Sequence, residues 1–231
     1  MHTRVVALRR YPVKSMGGEP LHVAELDRRG LVGDRAYAVV DEDGRFASGK
    51  TTRRFGRRDA VFEFSARTVE DEVWVLRRDR AWRIGDPALD ATLSEALEAT
   101  VTVAAEDSVP HFDAGSVSIV GTASLEWCRE QLGVDADPRR LRANVVVATS
   151  TPFVEESWVG RDLTVGGVRL SVVAPIERCR TIDIDQDGMG FETPWLAALG
   201  RTRSAQLGVY ADVETPGRVA VGDELVLPHG H

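Results

Sequence analysis

The sequence predicts a mainly β protein with a few helices, an α+β chain built on a barrel or sandwich. Short runs of β-branched and aromatic residues recur along the chain, separated by turns rich in Gly or Asp. Only a few segments have the leucine spacing or the cap residues of a helix. With 231 residues and 43% hydrophobic content, the chain can form one large or two small domains around a real core.

The N-terminal half is predicted to be a succession of short strands. Each is a short apolar run bounded by turn residues, as in the Asp-rich turn at 41–44. The predicted strands are 5–8, 22–26, 37–41, 61–64, 73–76 and 82–84. This regular spacing of strands and turns is typical of a barrel or a sandwich.

The first helix is predicted at residues 87–99. Asp86 is a favourable N-cap, and Pro87 suits the first helical position because its missing N–H would have no partner there. Leucines recur every four residues, which gives the helix one apolar face. The helix should end before the β-branched run at 101–103.

Three later segments are also predicted to be helical. Thr122 is a favourable N-cap for a helix that runs to residue 132, where Gly133 stops it. Cys128 shares a face of that helix with two leucines, so we interpret it as a small buried hydrophobic residue. Asp137 starts a helical turn, and a short helix is predicted at 193–200.

The remaining strands lie in the second half of the chain. They are predicted at 117–120, 144–148, 163–165, 168–174, 207–213, 219–221 and 225–227. Two of them are separated only by Gly166 and Gly167, which indicates a hairpin. No repeat or clear linker divides the chain.

Cys179 directly follows the second strand of that hairpin, between Arg178 and Arg180. Two neighbouring guanidinium groups should place the thiol in positive potential, which favours the thiolate, the form that attacks electrophiles and binds metals. A strand that ends at this point should deliver the side chain to a barrel mouth or loop. Cys179 is therefore a candidate nucleophile, redox sensor or metal ligand.

Charge and composition exclude several classes of function. The net charge of −7 and the lack of basic blocks argue against nucleic-acid binding. No apolar run approaches the roughly 20 residues of a membrane span, and the N-terminus lacks a long signal-peptide apolar region. We therefore expect a cytoplasmic protein without a membrane partner, whose two cysteines are reduced.

Three basic clusters lie at predicted strand ends. The first, at 9–18, contains Lys14 and a Gly pair that lets backbone N–H groups approach a ligand. The second presents Arg35 beside an Asp that could orient it, and the third, at 139–144, precedes a strand. Together with an activated cysteine, these clusters would suit an elongated anionic cofactor that carries a phosphate and a metal.

Other kinds of site have weaker support. The chain has no phosphate-binding loop of the Walker type and no dinucleotide glycine fingerprint. A cysteine hydrolase would need a histidine base, for which only His111 is suitably placed. Asp183, Asp185 and Asp187 alternate like the start of a calcium loop, but the expected downstream Glu is missing.

Several segments jointly resemble the MOSC family, the molybdenum cofactor sulfurase C-terminal domain family. The resemblance spans nearly the whole chain, and its parts follow one another in the family's order. The matching segments are Arg-Tyr-Pro-Val-Lys-Ser-Met-Gly-Gly-Glu at 10–19, 30–35, 37–41, Leu-Arg-Ala-Asn with the valines at 141–147, Arg178-Cys179 with Asp185, 207–210 and 221–224.

The resemblance implies a MOSC-type β-barrel, with an N-terminal barrel-like region at 1–105 and the MOSC domain at 106–231. It implies that Cys179 ligates molybdenum of a molybdopterin-type cofactor and is catalytic, together with Asp183 and Asp185. The residues that it implies for holding the pterin and its phosphate are Lys14, Ser15, Arg35, Ser116, Arg142, Asn144, Arg178 and Tyr210. Many relatives have a small hydroxyl residue where this chain has Asp183, so a carboxylate near the metal could change substrate choice or proton delivery.

The implied activity is reduction of small N-oxygenated substrates such as amidoximes, N-hydroxylated compounds and N-oxides. No cysteine cluster could bind an iron–sulfur centre, so a separate electron donor of the flavin, ferredoxin or haem type is expected. An alternative is a carrier that holds the molybdenum cofactor, or a persulfide on Cys179, for delivery elsewhere. A barrel that no longer binds cofactor is the third possibility.

Overall fold

The computed structural model describes residues 3–190 and 194–227, and within these ranges strands dominate over three α-helices. The strands are β1 (Val5–Arg10), β2 (Glu19–Leu21), β3 (Val23–Asp27), β4 (Gly30–Leu31), β5 (Tyr37–Asp41), β6 (Phe46–Ser48), β7 (Phe55–Arg57), β8 (Ser65–Val69), β9 (Glu72–Arg77), β10 (Arg80–Arg83), β11 (Val101–Ala105), β12 (Val117–Gly121), β13 (Val145–Val147), β14 (Asp162–Val165), β15 (Val168–Glu177), β16 (Gln206–Thr215), β17 (Gly217–Ala220) and β18 (Leu225–Val226). The helices are α1 (Pro87–Leu97), α2 (Thr122–Leu132) and α3 (Trp195–Arg203). The predicted mainly β fold with a few helices is confirmed.

The largest sheet has eight strands in the order β18-β14-β15-β16-β12-β13-β1-β2 and curls into a half-barrel. Its neighbouring strands are antiparallel except for β12 and β13, which run parallel because α2 connects them. The predicted hairpin of β14 and β15 is confirmed, since Val165 pairs with Val168 across the two glycines. Apolar side chains fill the concave side, among them Ile119, Trp158 and Val209.

Three smaller sheets complete the fold. They are β11-β5-β6-β7, β10-β9-β8 and β17-β3-β4. Helix α1 packs its three leucines into a second apolar cluster with Phe62, Phe64 and Trp82. The β1–β2 turn bridges to two of these sheets, through Val13 to Tyr37 in β5 and through Gly17 to Ser65 in β8. This turn therefore lies at the junction between the half-barrel and the sheets that contain β5 and β8.

Helix α1 begins as the sequence predicts. The Asp86 carboxylate accepts a hydrogen bond from the Ala88 N–H at 2.9 Å, with Pro87 in the first turn. We expect Asp86→Ala to lower the free energy of unfolding by about 1 kcal/mol, because this N–H loses its partner. Urea unfolding measures the change, and an unchanged midpoint would show that the cap contributes nothing.

Helix α2 begins differently from the prediction that Thr122 is its N-cap. Gly121 occupies that position, and the buried Glu155 carboxylate accepts the Gly121 N–H at 3.1 Å. A Cβ on Gly121 would lie 2.8 Å from the Glu155 carboxylate, so glycine allows this approach. Thr122 instead accepts the Thr149 N–H at 3.0 Å. The prediction for Cys128 fits, since this residue is buried in an apolar cluster.

Two other predicted elements are absent from the structure. Residues 61–64 are not a strand, since Val61 and Phe62 are buried within the 3₁₀ helix Asp59–Glu63. An apolar run this short does not distinguish a strand from a helical turn. The segment after Asp137 is a series of turns without a helix.

The third helix is shifted along the chain relative to the prediction. The structure places it at Trp195–Arg203, so it continues through Gly200, where we expected it to stop. Its predicted first residue, Thr193, lies outside the described residues. No described helix combines the length and the apolar character needed to cross a membrane.

Candidate functional site

One cleft brings together residues that are far apart in the sequence. Its walls come from the β1–β2 turn, the loops after β4 and β11, the end of β6, the turn before β13 and the end of β15. Its polar and charged lining residues are Lys14, Ser15, Arg35, Ser48, Lys50, Asp113, Ser118, Arg140, Arg142, Asn144, Glu177, Arg178, Cys179, Thr181 and Tyr210. Cations outnumber carboxylates here, in a chain whose net charge is −7. The cleft is therefore suited to an anionic ligand.

Most residues named from the sequence line this cleft. The structure brings together Cys179 and seven of the eight expected cofactor-binding residues. These seven are Lys14, Ser15, Arg35, Arg142, Asn144, Arg178 and Tyr210. The basic clusters identified at three strand ends thus converge on the cysteine, which their sequence positions alone did not require.

Three of these residues have a left-handed backbone. The φ angles are +68° at Ser15, +49° at Arg35 and +54° at Arg142. A residue other than glycine pays a conformational cost for such angles, on the order of 1–3 kcal/mol. Because such backbone conformations cluster at ligand sites, their presence on three separate walls supports a functional role for the cleft.

Arg35 and Arg142 lie beside the same aromatic ring. Their guanidinium carbons are 4.9 and 4.3 Å from the ring centroid of Tyr11, which is buried. Arg35 forms an ion pair with Asp34, whereas no carboxylate pairs with Arg142 among the described residues. Burial, reinforced by Arg35, lowers the pKa of Arg142 to about 10, so Arg142 remains a cation at neutral pH.

Two guanidinium nitrogens in the cleft lack a partner within the described residues. They are Nη2 of Arg142 and Nη2 of Arg178, and both are buried. The other groups of Arg178 donate to the carbonyls of Leu207 at 2.8 Å and Leu141 at 2.9 Å, which fix its orientation. An unsatisfied buried donor is costly, so these two nitrogens indicate where an anionic ligand would accept hydrogen bonds.

Asn144 has a structural part in the cleft. Its side-chain oxygen accepts hydrogen bonds from the Ser118 N–H at 3.1 Å and from Arg35 at 3.2 Å, and its amide nitrogen donates to the Arg9 carbonyl at 3.2 Å. These contacts tie β1, β12 and the turn before β13 together. Asn144 therefore orients Arg35 in addition to lining the cleft.

Cys179 is half-buried, and its thiol donates to Thr181 Oγ1 at 3.3 Å. Of the two flanking arginines, only Arg178 lines the cleft with it. Arg180 turns outward and forms an ion pair with Asp59 at 2.5 Å. The two flanking arginines therefore differ in position, and the Thr181 hydroxyl is an additional neighbour of the sulfur.

Three residues expected at the site lie outside the cleft lining. The Asp183 carboxylate accepts the N–H groups of Trp195 at 2.6 Å and Leu196 at 3.1 Å, and so caps α3. Asp185 is exposed in a neighbouring hollow. The Ser116 hydroxyl is used within the protein, donating to Ala211 O at 3.0 Å.

His111 also lies outside the lining of this cleft. Its Nδ1 is 3.1 Å from the Arg35 carbonyl, and its ring packs edge-on against Phe46 at 4.9 Å. Burial lowers the pKa of His111. The geometry therefore does not favour a cysteine hydrolase in which His111 is the base for Cys179.

Four side chains at or beside the cleft were given no functional role from the sequence: Lys50, Asp113, Thr181 and Tyr11. Lys50 is one of only two lysines in the chain, and the other, Lys14, was already a candidate. The scarcity of lysine was the one feature of the sequence that could have indicated a role for Lys50. Nothing in the local sequence indicated that Asp113 would reach both lysines.

Lys14 is expected to make anion binding depend on pH. Burial is the main reason that its pKa falls to about 8, and Arg35 and Lys50 add to this effect while Asp113 opposes it. Since the cationic form binds anions, affinity should fall about tenfold between about pH 7 and 9, as the proton is lost. Calorimetric titration with sulfate, whose charge is constant in this range, measures it. An equally steep fall in Lys14→Gln would contradict the assignment.

Comparison with known proteins gives two family matches. Residues 98–226 match the MOSC domain, and residues 2–63 match the MOSC N-terminal beta barrel domain. Among solved structures, the YUAD protein from Bacillus subtilis is similar at a TM-score of 0.56 and 18% identity, covering 97% of this chain and 94% of that one. This structural likeness concerns the fold alone.

Two curated proteins are similar in sequence. A molybdenum cofactor sulfurase from Anopheles gambiae is 25% identical over 79% of this chain, and the mitochondrial amidoxime-reducing component 1 from Homo sapiens is 28% identical over 53% of it. The matched parts are 30% and 40% of those proteins. The chain thus spans less than half the length of either relative.

Proposed function

The chain belongs to the MOSC domain family, and from this premise we propose that its cleft binds a molybdenum cofactor of the molybdopterin type through Cys179. The observation that carries the proposal is the pair of unpartnered buried nitrogens on Arg142 and Arg178, in the same cleft as the cysteine. The cofactor has a phosphate that can accept from guanidinium groups and a metal that a thiolate can bind. The residues of the cleft therefore fit both the phosphate and the metal of the cofactor.

Separate residues would hold separate parts of the cofactor. Lys14 and Arg178 would bind its phosphate because each is a buried cation in the lining. Arg142 would bind it as well, because it is half-buried in the lining and one of its nitrogens is buried without a partner among the described residues. Cys179 would be the protein's ligand to molybdenum, and the Thr181 hydroxyl, 3.3 Å from the sulfur, can donate to the thiolate once the thiol proton is lost. Arg35 would be held toward the cofactor by Asp34 and Asn144.

We further propose that the activity is reduction of N-oxygenated compounds. When bound, the cofactor would supply two-electron removal of oxygen from an N–OH or N-oxide group. The similarity to an amidoxime-reducing component supports this choice of substrate. Because the chain has only two cysteines, one of them buried on α2, the electrons would come from a separate flavin, ferredoxin or haem protein.

A turnover assay tests the reductase proposal. Cofactor-loaded protein with a chemical electron donor should reduce an amidoxime, a hydroxylamine or an N-oxide, and Cys179→Ser should not. The matched control is Cys128→Ser, which alters the other cysteine, outside the cleft. If the loaded wild-type protein reduces none of these compounds, the reductase proposal is wrong.

A second candidate function is supported by the similarity to a molybdenum cofactor sulfurase, which covers 79% of this chain. In that case Cys179 would carry the cofactor or a persulfide for delivery to another protein. Peptide mass spectrometry of the freshly purified protein would show a gain of one sulfur atom on the peptide that contains Cys179. A persulfide together with absent turnover would favour the carrier.

A further inference from the structure

We propose that Asp113 is an internal counter-anion, which an anionic ligand must displace from Lys14 and Lys50 in order to bind. Asp113 would thereby determine how strongly the cleft holds a phosphate. The inference deepens the proposed function and rests on it, since the natural anion would be the phosphate of the proposed cofactor.

Asp113 lies between the two lysines, where two oxygens of an anionic ligand could make the same contacts. Its two carboxylate oxygens are divided between the two lysines, with Oδ1 2.7 Å from Lys14 Nζ and Oδ2 3.2 Å from Lys50 Nζ. Both ammonium groups lie over the ring of Phe55, at 4.9 and 4.5 Å from its centroid. Two oxygens of a phosphate can make the same pair of contacts with more charge.

The partners differ in how firmly they are held. The Lys14 side chain is 8% exposed and forms part of the cleft wall, whereas the Asp113 side chain is 41% exposed. Asp113 belongs to the loop between β11 and β12. The Lys50 side chain is 33% exposed. Exchange of one oxygen ligand for another would therefore move the carboxylate outward and leave Lys14 in place.

The loop that carries Asp113 has other attachments. Arg29 forms an ion pair with Glu106, and Arg54 Nη2 donates to the Pro110 carbonyl at 2.7 Å. These contacts do not involve the cleft lysines. Release of Asp113 would therefore leave the loop attached to the protein, so that displacement would need no unfolding of the segment.

Charge balance also favours displacement. The six cations that line the cleft are Lys14, Arg35, Lys50, Arg140, Arg142 and Arg178, and the carboxylates among the described lining residues are Asp113 and Glu177. Asp113 therefore neutralises the lysine end of the cleft when no ligand is bound. The two ammonium groups become fully available to a ligand when the Asp113 carboxylate moves away.

The test uses the full chain produced in a host that makes no pterin cofactor, with inorganic pyrophosphate as the probe. Calorimetry at constant pH and ionic strength compares wild type, Asp113→Asn and the control Asp107→Asn. The control removes the same charge from the same loop, where the Asp107 carboxylate accepts, among the described residues, only from its neighbours Ser108 and Val109. We expect Asp113→Asn to bind roughly tenfold more tightly and the control to match wild type.

A double-mutant cycle with Lys50→Gln gives a second measurement. Because Asp113 neutralises Lys50 in the wild type, loss of Lys50 should weaken pyrophosphate binding more in the Asp113→Asn background. Thermal unfolding of each variant verifies that it is folded. Equal or weaker binding in Asp113→Asn, equal gains in both Asn variants, or no pyrophosphate binding at all would overturn the inference.

The two proposals can fail separately. If wild type from a cofactor-producing host lacks molybdenum but Asp113→Asn binds pyrophosphate more tightly, then Asp113 acts as described and the proposed cofactor is wrong. If molybdenum is present and Asp113→Asn shows no gain, only the inference about Asp113 is wrong.

Discussion

Cys179→Ser is expected to lose molybdenum almost completely, from about one metal atom per chain to less than about a tenth. A thiolate is a soft ligand that forms readily near positive charge, whereas a serine hydroxyl stays protonated at neutral pH and is a poor substitute. The change is nearly isosteric, and Cys179 is half-buried at the cleft, so the fold should be preserved. Elemental analysis of protein from a cofactor-producing host measures the metal.

The matched control for this prediction is Cys128→Ser. Cys128 is buried on α2 in an apolar cluster with Leu125 and Trp195, and burial raises the pKa of its thiol to about 11. Its replacement by serine should lower stability, by about 1–3 kcal/mol, because a hydroxyl is desolvated there. Molybdenum content should remain at the wild-type level. If both variants lose the metal equally, or neither does, Cys179 is not its ligand.

Arg142→Met is expected to weaken cofactor binding by about 10- to 150-fold, as one charge-assisted hydrogen-bond donor is worth roughly 1.5–3 kcal/mol. The chain itself should lose little stability. Arg142 is half-buried near Arg35. Among the described residues, its Nη2 has no partner and its Nη1 donates to the Met16 carbonyl at 2.7 Å. Cofactor retention after dialysis and urea unfolding measure the two effects.

Arg139→Met is the control for this second variant. Arg139 is three residues away, but it pairs with Asp137 at 2.8 Å and does not line the cleft. The Arg139→Met variant should therefore retain the cofactor as the wild type does. Equal losses from both variants would mean that general positive charge, and not the placement of Arg142, holds the ligand.

Local patterns were sufficient for much of the fold. The strand at 37–41 and the helix that Asp86 caps depend on neighbours in the sequence, so alternation, spacing and cap chemistry predict them. The errors occurred where distant contacts decide the structure. At the start of α2, Glu155 accepts the Gly121 N–H and Thr149 accepts the Ala123 N–H, both from far along the chain. Val61 and Phe62 lie in a 3₁₀ helix, which so short an apolar run does not distinguish from a strand. The proposed division into 1–105 and 106–231 stays a prediction.

The candidate site, too, was predictable where it depends on local sequence and was missed where it depends on distant contacts. Lys14, Arg35 and Arg142 each follow or precede a strand within a recognisable basic turn, so their place at the cleft could be anticipated. Asp183 was misleading because its proximity to Cys179 in sequence suggested proximity to the ligand, whereas its carboxylate caps α3. The role of the Asp113 side chain was missed because its partners, Lys14 and Lys50, are far away in the sequence.

Molybdenum and pterin analysis of the wild-type protein tests the central claim most directly. The chain should be produced in a host that makes the cofactor, alongside a known molybdenum enzyme as a control for supply. A cleft with two unpartnered guanidinium nitrogens and a half-buried thiol should yield about one molybdenum and one pterin per chain. Protein that contains neither, while the control enzyme is fully loaded, would contradict the assignment of the cleft as a molybdenum cofactor site.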